Sequence, residues 1–344
     1  MKATYFKHTL QFKRPSGTSR GVLTEKETWF IRIDATGKVG YGECGILRGL
    51  SIDDRPDYEE TLKWACDNIH QGLDELYFKL EGFPSIQFGL EMAFRSFESQ
   101  DPFKLFPSAF THGEKGISIN GLIWMGEEKF MHQQIEEKLE AGFDCIKMKI
   151  GAIDFDTEIK LLKGIRDRFS AKDITLRVDA NGAFAPEDAM KKLDQLASLD
   201  IHSIEQPIKA GQWDAMAKLC ENTPLPIALD EELIGIFDVA KKQEMMQHIN
   251  PQYIILKPSL IGGFRGSDTW ISLTEQINAG WWITSALESN VGLNAIAQYT
   301  YTKNTVIPQG LGTGSLYTNN VSSPLEITRG HLWYNPENRW SLQF

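Results

Sequence analysis

Five charged side chains, Lys149, Asp179, Glu205, Asp230 and Lys257, recur 25 to 30 residues apart, each at or just after the end of an apolar, strand-like run. FDCIKMKIG carries Lys149, ITLRVDANGA carries Asp179, HSIEQP carries Glu205, LPIALDEEL carries Asp230 and QYIILKPSLIGG carries Lys257. Three carboxylates gathered in one place repel one another and raise one another's pKa values unless a cation is present. An oxygen-only donor set, with neither His nor Cys, favours Mg2+ over Zn2+. Asp179, Glu205 and Asp230 are therefore the expected ligands of a divalent metal, and Lys149 and Lys257 flank it as candidate proton carriers. The alternation Ile146-Lys147-Met148-Lys149-Ile150 points Lys147 and Lys149 to the same side of their strand. Beside a divalent cation and a second ammonium, Lys149 is expected to have a lowered pKa and to serve as a base. A metal on a substrate carboxylate stabilises the enediolate left when the α-proton departs, so the whole set suits a carbanion-type reaction. The sequence holds no Walker loop, kinase Gly-rich loop or Rossmann fingerprint, which turns expectation away from phosphoryl transfer and dinucleotide chemistry.

A spacing of 25 to 30 residues is about one βα unit of a barrel, and barrel enzymes carry their chemistry at the C-terminal ends of the strands. From Ile117 onward, short apolar strands alternate with amphipathic helices. The strands are expected at 117–122, 144–149, 174–178, 202–205, 226–230, 253–256, 281–285 and about 305–308. Helices are expected near 127–141, 154–169, 186–199, 211–222, 235–247, 265–279 and 291–301. Pro186 and Asp188 suit the first turn of theirs. Eight strands with intervening helices imply a closed parallel barrel, with Asp179, Glu205 and Asp230 ending strands three, four and five on one rim.

Residues 1 to about 100 have a different rhythm. The segments 2–12 and 27–34 alternate as half-buried antiparallel strands do. Between them Pro15-Ser16-Gly17-Thr18-Ser19-Arg20-Gly21 reads as a flexible loop. The stretches 57–79 and 85–99 are helical in period, making a small α+β unit. The tail from about 320 to 344 shows no further βα unit and is expected to pack back on the first. The domains are thus expected as a capping domain at 1–115, joined by 320–344, and a barrel at 116–319.

With 46 acidic against 36 basic residues, the net charge of -10 argues against a nucleic-acid or acidic-membrane partner. The four cysteines, Cys44, Cys66, Cys145 and Cys220, form no CxxC pair and read as buried thiols of a reduced compartment. The N-terminus lacks the apolar core of a signal peptide, and no apolar run approaches a bilayer span. A cytoplasmic location is expected.

Together these motifs resemble the enolase superfamily, in its muconate-lactonizing-type two-lysine branch, and within it the o-succinylbenzoate synthases of menaquinone biosynthesis. Lys147-Met148-Lys149 is similar to the family KxK, Asp179 in DANGA, Glu205 in IEQP and Asp230 in LDEE to its Mg2+ ligands, and Lys257 to its opposite lysine. No histidine lies between His248 and His331, as a mandelate-racemase-like member would need near strand seven. LKPSLIGG at 256–263, SALESNVGLNAIAQ at 285–298, GLGTG at 310–314 and SINGLIWMG at 118–126 look like the synthase pattern.

The resemblance implies a modified (β/α)7β TIM-like barrel of α/β class under an α+β capping domain, and a Mg2+ cofactor for which Mn2+ substitutes. It also implies a small-molecule carboxylate substrate. The implied reaction is dehydration of 2-succinyl-6-hydroxy-2,4-cyclohexadiene-1-carboxylate to o-succinylbenzoate. Lys149 would remove the α-proton and return it to the departing hydroxyl, and Lys257 would hold developing charge. Lys147 would support Lys149 or touch the carboxylate, and Asn181 would organise the metal ligands. Asn120 is a further expected contact. Backbone amides around Ser285, Ser289 and Asn290, and in Gly312-Thr313-Gly314, are candidates for the succinyl carboxylate. The loops at 15–22, with Arg20, and at 45–56 are expected to close over the site. Two other readings keep the same residues: a racemase or epimerase of N-acylamino acids or dipeptides, and a barrel that only binds a small acid.

Overall fold

The computed structural model describes residues 1–18 and 21–342. Three antiparallel strands come first, β1 (Lys2–Thr18), β2 (Gly21–Ala35) and β3 (Lys38–Gly45), in the order β1-β2-β3. The alternating residues of β2 put Trp29, Ile31 and Ile33 on one face. There they pack with Leu62, Leu76 and Leu90 of α1 (Tyr58–Asp67), α2 (Leu73–Lys79) and α3 (Pro84–Glu98). The glycines of GYGECG have a packing reason: a Cβ on Gly42 would stand 1.9 Å from the Gly89 carbonyl oxygen, so α3 lies directly on β3.

The composition of 15–21 predicts a flexible loop, and the structure departs from that. Pairing breaks after Gln11↔Glu25 and resumes at Ser16↔Leu23, Gly17↔Val22 and Thr18↔Gly21. The irregularity absorbs Pro15, which cannot donate to a ladder. The resumed hairpin is supported from the barrel side by a bridge between Gly17 and Met125 and by the Lys13 N–H donating to the Leu316 carbonyl at 2.8 Å. Arg20 lies outside the described residues.

After β4 (Ile117–Ser118), seven parallel strands follow: β5 (Gly121–Ile123), β6 (Cys145–Lys149), β7 (Thr175–Asp179), β8 (Ser203–Glu205), β9 (Ile227–Leu229), β10 (Tyr253–Leu256) and β11 (Gly280–Ile283). They pair in strict sequence order, as right-handed βαβ connections produce. The connecting helices are α4 (Glu128–Glu140), α5 (Phe155–Arg166), α6 (Pro186–Ala197), α7 (Trp213–Asn222), α8 (Val239–Ile249), the one-turn α9 (Pro258–Ile261) with α10 (Gly263–Gln276), and α11 (Asn290–Thr302). One buried cluster runs from β5 to α11, including Ile146, Val178, Ile204, Leu229, Leu256 and Leu293. The fold is the expected α/β barrel with a separate antiparallel sheet.

An eighth strand at about 305–308 is expected but does not form as a regular element. Its place is taken immediately afterwards by Gln309 and Gly310, which bridge to Ile119 and Thr284 respectively. Pro308 at the start of this segment cannot extend a ladder toward its N-terminal side.

Side-chain contacts also fasten the N-terminal helices to the barrel. Glu91 of α3 accepts from the Phe264 and Arg265 amides at 2.5 and 3.2 Å, satisfying the N-terminus of α10. The chain end returns as β12 (Leu325–Thr328) and β13 (His331–Tyr334), and β13 pairs with β4. Beyond it, Trp340 stacks on Phe103 with centroids 4.3 Å apart. All four cysteines are buried and unpaired. Among the described residues no helix is long and apolar enough to cross a membrane.

Candidate active site

Register alone brings the expected residues together. Lys149 on β6 stands beside Asp179 on β7, and Asp179 beside Glu205 on β8. Ala228 of β9 continues that row, so Asp230 lies two residues further along on the same face. Lys257 follows the end of β10 in extended conformation, directly before α9. Asp179, Glu205 and Asp230 expose 2% or less of their surface. Lys147, Lys149, Asp179 and Lys257 line one cavity of about 590 Å3.

The ammoniums and carboxylates are interleaved. Lys147 Nζ lies 3.1 Å from Asp179 Oδ2 and also pairs with Glu205 Oε2. Lys149 Nζ donates to Asp179 Oδ2 at 3.3 Å and to Asn181 Oδ1 at 2.9 Å. Lys257 pairs with Asp230. Asn181, in the left-handed region at φ 44°, donates its amide to Asp179 Oδ1 at 3.0 Å and its side-chain Nδ2 to Glu231 Oε1 at 3.1 Å. Asparagine tolerates that backbone better than most residues. Gln206 serves the next strand, accepting the Asp230 amide at 3.2 Å and donating to Glu232 at 3.0 Å.

Burial and charge compete at each of these groups. Burial pushes Glu205 up to about 7; Lys147 opposes the shift, and Asp179 and Asp230 add to it. Burial also works against ionised Asp179, but Lys147, Lys149 and Lys257 outweigh it and hold its carboxyl well below the usual range. Burial disfavours the Lys147 and Lys257 ammoniums, yet Asp179, Glu205 and Asp230 around the first, and Asp230 and Glu231 beside the second, keep both above the ordinary lysine value. The residues fit a hard divalent cation in donor type, and Glu205 Oε1 is buried without a hydrogen-bond donor among the described residues. Among the described residues, however, no three His, Cys, Asp or Glu side chains converge as a ligand group. Lys147 supplies the positive charge between Asp179 and Glu205 instead.

Residues 131–337 match the sequence family described as enolase C-terminal domain-like. The chain belongs to that family. It is 48% identical to the o-succinylbenzoate synthase of Desulfotalea psychrophila over 96% of this chain and 98% of the relative. It is 26% identical to a D-Ala-D/L-Ala epimerase of Cytophaga hutchinsonii, over 88% of this chain and 83% of that one. The crystal structure of MenC from Desulfotalea psychrophila LSv54 superposes with a TM-score of 0.86 at 44% identity, covering 97% of this chain and 99% of that chain.

In this member of the enolase family, the cavity also gathers Asn120, Ser285, Asn290, Gly312 and Thr313 from the expected substrate contacts. Ser289 departs from expectation: it is fully buried and does not line the cavity, because its amide and hydroxyl both donate to Glu43. The neighbouring amides expected to receive a carboxylate are also engaged. Ser285 N–H donates to the Gly310 carbonyl, Leu287 N–H to Ser285 Oγ, and Asn290 N–H to Asn320 Oδ1. A buried turn must satisfy its own amides, and here it does so internally. Of the two expected closing loops, 45–56 contributes Leu47, Arg48 and Leu50 to the cavity wall, and Leu23 from the hairpin lies beside them.

Sequence reasoning missed Trp124, whose ring lies 6.0 Å from Lys149 Nζ, and the buried trio Lys26, Glu43 and Glu288. An acid inside the Gly-rich strand GYGECG was the available signal; Lys26 shares the phase of Thr28 and Phe30, opposite Trp29, Ile31 and Ile33, so alternation offered none for it.

Proposed function

We infer that the chain is an o-succinylbenzoate synthase, a hydro-lyase that converts 2-succinyl-6-hydroxy-2,4-cyclohexadiene-1-carboxylate to o-succinylbenzoate and water. The observation that carries this reading is one cavity holding Lys149 and Lys257 beside buried carboxylates, in a chain 48% identical to a synthase over nearly its whole length. Asp179, Glu205 and Asp230 would hold Mg2+, with Mn2+ as an alternative, and the oxygen donors and the unsatisfied Glu205 Oε1 support that set. Bound Mg2+ supplies a Lewis acid for the negative charge that develops on the substrate carboxylate.

Lys149 acts as the base. As a neutral amine it keeps two N–H donors, matching Asp179 Oδ2 and Asn181 Oδ1, and one lone pair for the substrate α-proton. The resulting ammonium returns that proton to the departing hydroxyl, so water leaves and the ring becomes aromatic with Lys149 restored. Lys257, paired with Asp230, stays protonated and holds charge. Lys147 balances the acids. Leu23, Leu47, Leu50, Leu122 and Trp124 offer an apolar wall to the ring. The 312–315 turn and Asn120, whose Oδ1 has no donor, are the remaining polar surfaces for the rest of the substrate. We further assign a cytoplasmic location and a division into a capping unit, 1–115 with 320–344, and a barrel at 116–319.

Ultraviolet detection of the cyclohexadiene with purified protein tests the reading. Mg2+-dependent loss of substrate is expected, and no turnover with Mg2+ or Mn2+ overturns it. The same two lysines could move a proton between the faces of an α-carbon, a second reading favoured by the 26%-identical epimerase. Solvent deuterium entering N-acylamino acids or dipeptides faster than the diene is dehydrated would select it.

A further inference from the structure

Glu43, on β3 of the capping sheet, is fully buried and reaches across to the barrel. Its Oε1 accepts from the Ser289 amide at 2.8 Å and the Thr28 hydroxyl at 2.9 Å. Its Oε2 accepts from the Ser289 hydroxyl at 2.5 Å and the Gly292 amide at 2.7 Å. The carboxylate thus has four donors, and two of them are amides at the start of α11 whose satisfaction the helix cannot supply itself. Ser289 Oγ in turn accepts from the Val291 amide at 3.1 Å, so the helix has an internal cap and an external one. A Cβ on Gly292 would stand 2.9 Å from Glu43 Oε2, and this close approach needs glycine.

The contact continues to the cavity. Lys26 is buried with no hydrogen-bond acceptor for its ammonium among the described residues, and burial lowers its pKa against the opposing charges of Glu43 and Glu288. Glu288 accepts from Ser285 Oγ at 2.5 Å and from Ser259 Oγ at 2.6 Å. Ser285 Oγ also accepts from the Leu287 amide at 3.1 Å and the Thr313 hydroxyl at 2.9 Å. Ser285, Leu287 and Thr313 all line the cavity. Leu287 holds φ 64°, a backbone state that a leucine keeps only where its surroundings impose it. The Tyr317 hydroxyl, donating to the Leu287 carbonyl at 2.7 Å, and the anchored Ser289 impose it from either side.

We propose that Glu43 is a positioning residue: acting from the capping sheet through Ser289, it locks the 285–290 turn and so sets the wall that Ser285, Leu287 and Thr313 present to the substrate. Substrate binding then depends on a residue that touches no substrate, while Lys149 and the three acids, on β6, β7 and β8 and just after β9, stand outside the chain of contacts.

Steady-state kinetics of the full chain with Mg2+ and the cyclohexadiene substrate, comparing wild type with Glu43→Gln and Ser289→Ala, test this; this readout rests on the synthase reading. The glutamine amide would set its own N–H groups against those of Ser289 and Gly292. KM is expected to rise about tenfold or more in Glu43→Gln with kcat within about threefold of wild type, and Ser289→Ala to shift KM the same way by less. A folded variant with wild-type KM, or a loss confined to kcat, overturns the proposal. If Glu43→Gln does not fold, Ser289→Ala decides by the same criterion. If wild type does not turn over the diene, the synthase reading fails separately, and hydrogen exchange decides for Glu43. Faster exchange at Leu287 and Thr313 in Ser289→Ala upholds the lock, and wild-type exchange there overturns it.

Discussion

With one carboxylate oxygen paired to Lys147 and the other lacking any donor, Glu205 is the acid to which an added cation contributes most, since a buried oxygen without a partner bears its whole desolvation cost. Glu205→Gln removes the charge while keeping the shape. The Mg2+ concentration giving half-maximal rate should rise beyond the roughly 10- to 100-fold typical of losing an outer-shell partner. A metal titration of initial rates checks this, and an unchanged curve removes Glu205 from the ligand set. Lys149→Ala should lower kcat by about 10²- to 10⁴-fold, the usual worth of a general acid–base group, with an unchanged circular dichroism spectrum. Substantial residual turnover would remove Lys149 as the base. The placement of both residues at strand ends was legible in the sequence, because a charge closing an apolar strand has few places to go except a barrel rim. Ser289 was not legible in the same way: its amide and hydroxyl are taken by Glu43, 246 residues away in the chain, and no local pattern encodes that partner.

At the scale of elements, Glu91 fastens α3 to the start of α10 while carrying a titration of its own. Burial pushes it up to about 7, although the Phe264 and Arg265 amides and the Arg265 guanidinium pull it down. An unfolded glutamate titrates near about 4.3, so the folded chain binds the extra proton between roughly pH 4 and 7. The stabilisation this gives is complete below the unfolded value and is lost as pH rises through 7. Wild type should therefore lose stability between pH 5 and 8, and Glu91→Gln, which cannot ionise, should lose roughly 1–3 kcal/mol less. Denaturant midpoints at the two pH values decide it, and parallel courses would refute the assignment. Apart from the eighth strand, the barrel helices and strands were legible element by element, because apolar runs such as CIKMK and TLRVD are short and the intervening stretches have helical period. The hairpin end at 16–18 and 21–23 was not, since the bridge from Gly17 to Met125, with Lys13 held by Leu316 just before it, outweighs a loop-like composition.

For the whole molecule, the question is how a seven-stranded parallel sheet becomes a ring without a regular eighth strand. Four backbone bonds do it: Gln309 N–H to the Ser118 carbonyl at 2.8 Å, Asn120 N–H to the Gln309 carbonyl at 2.9 Å, Gly310 N–H to the Ile283 carbonyl at 2.8 Å, and Ser285 N–H to the Gly310 carbonyl at 3.0 Å. The buried Gln309 side chain adds a fifth, accepting the Ile283 amide at 2.8 Å. This seam is invisible to periodicity because two residues carry it, and neither is a strand former. It is also where the ring meets the cavity, since Gly310 and Gly312 lie in its wall. A Cβ on Gly310 would stand 2.4 Å from Thr284 Oγ1 and 2.7 Å from its Cγ2, and β-branched Thr284 has little rotamer freedom with which to retreat. Gly310→Val should therefore open the seam. Overpacking of this kind costs about 1–3 kcal/mol, which a thermal or denaturant melt would read as a lowered midpoint. Because Thr284 follows the strand that leads to Ser285, the same change should raise KM more than it lowers kcat. Gly310→Val with wild-type stability and wild-type KM would show that the ring is not held at this point, and that closure depends on the helices around it.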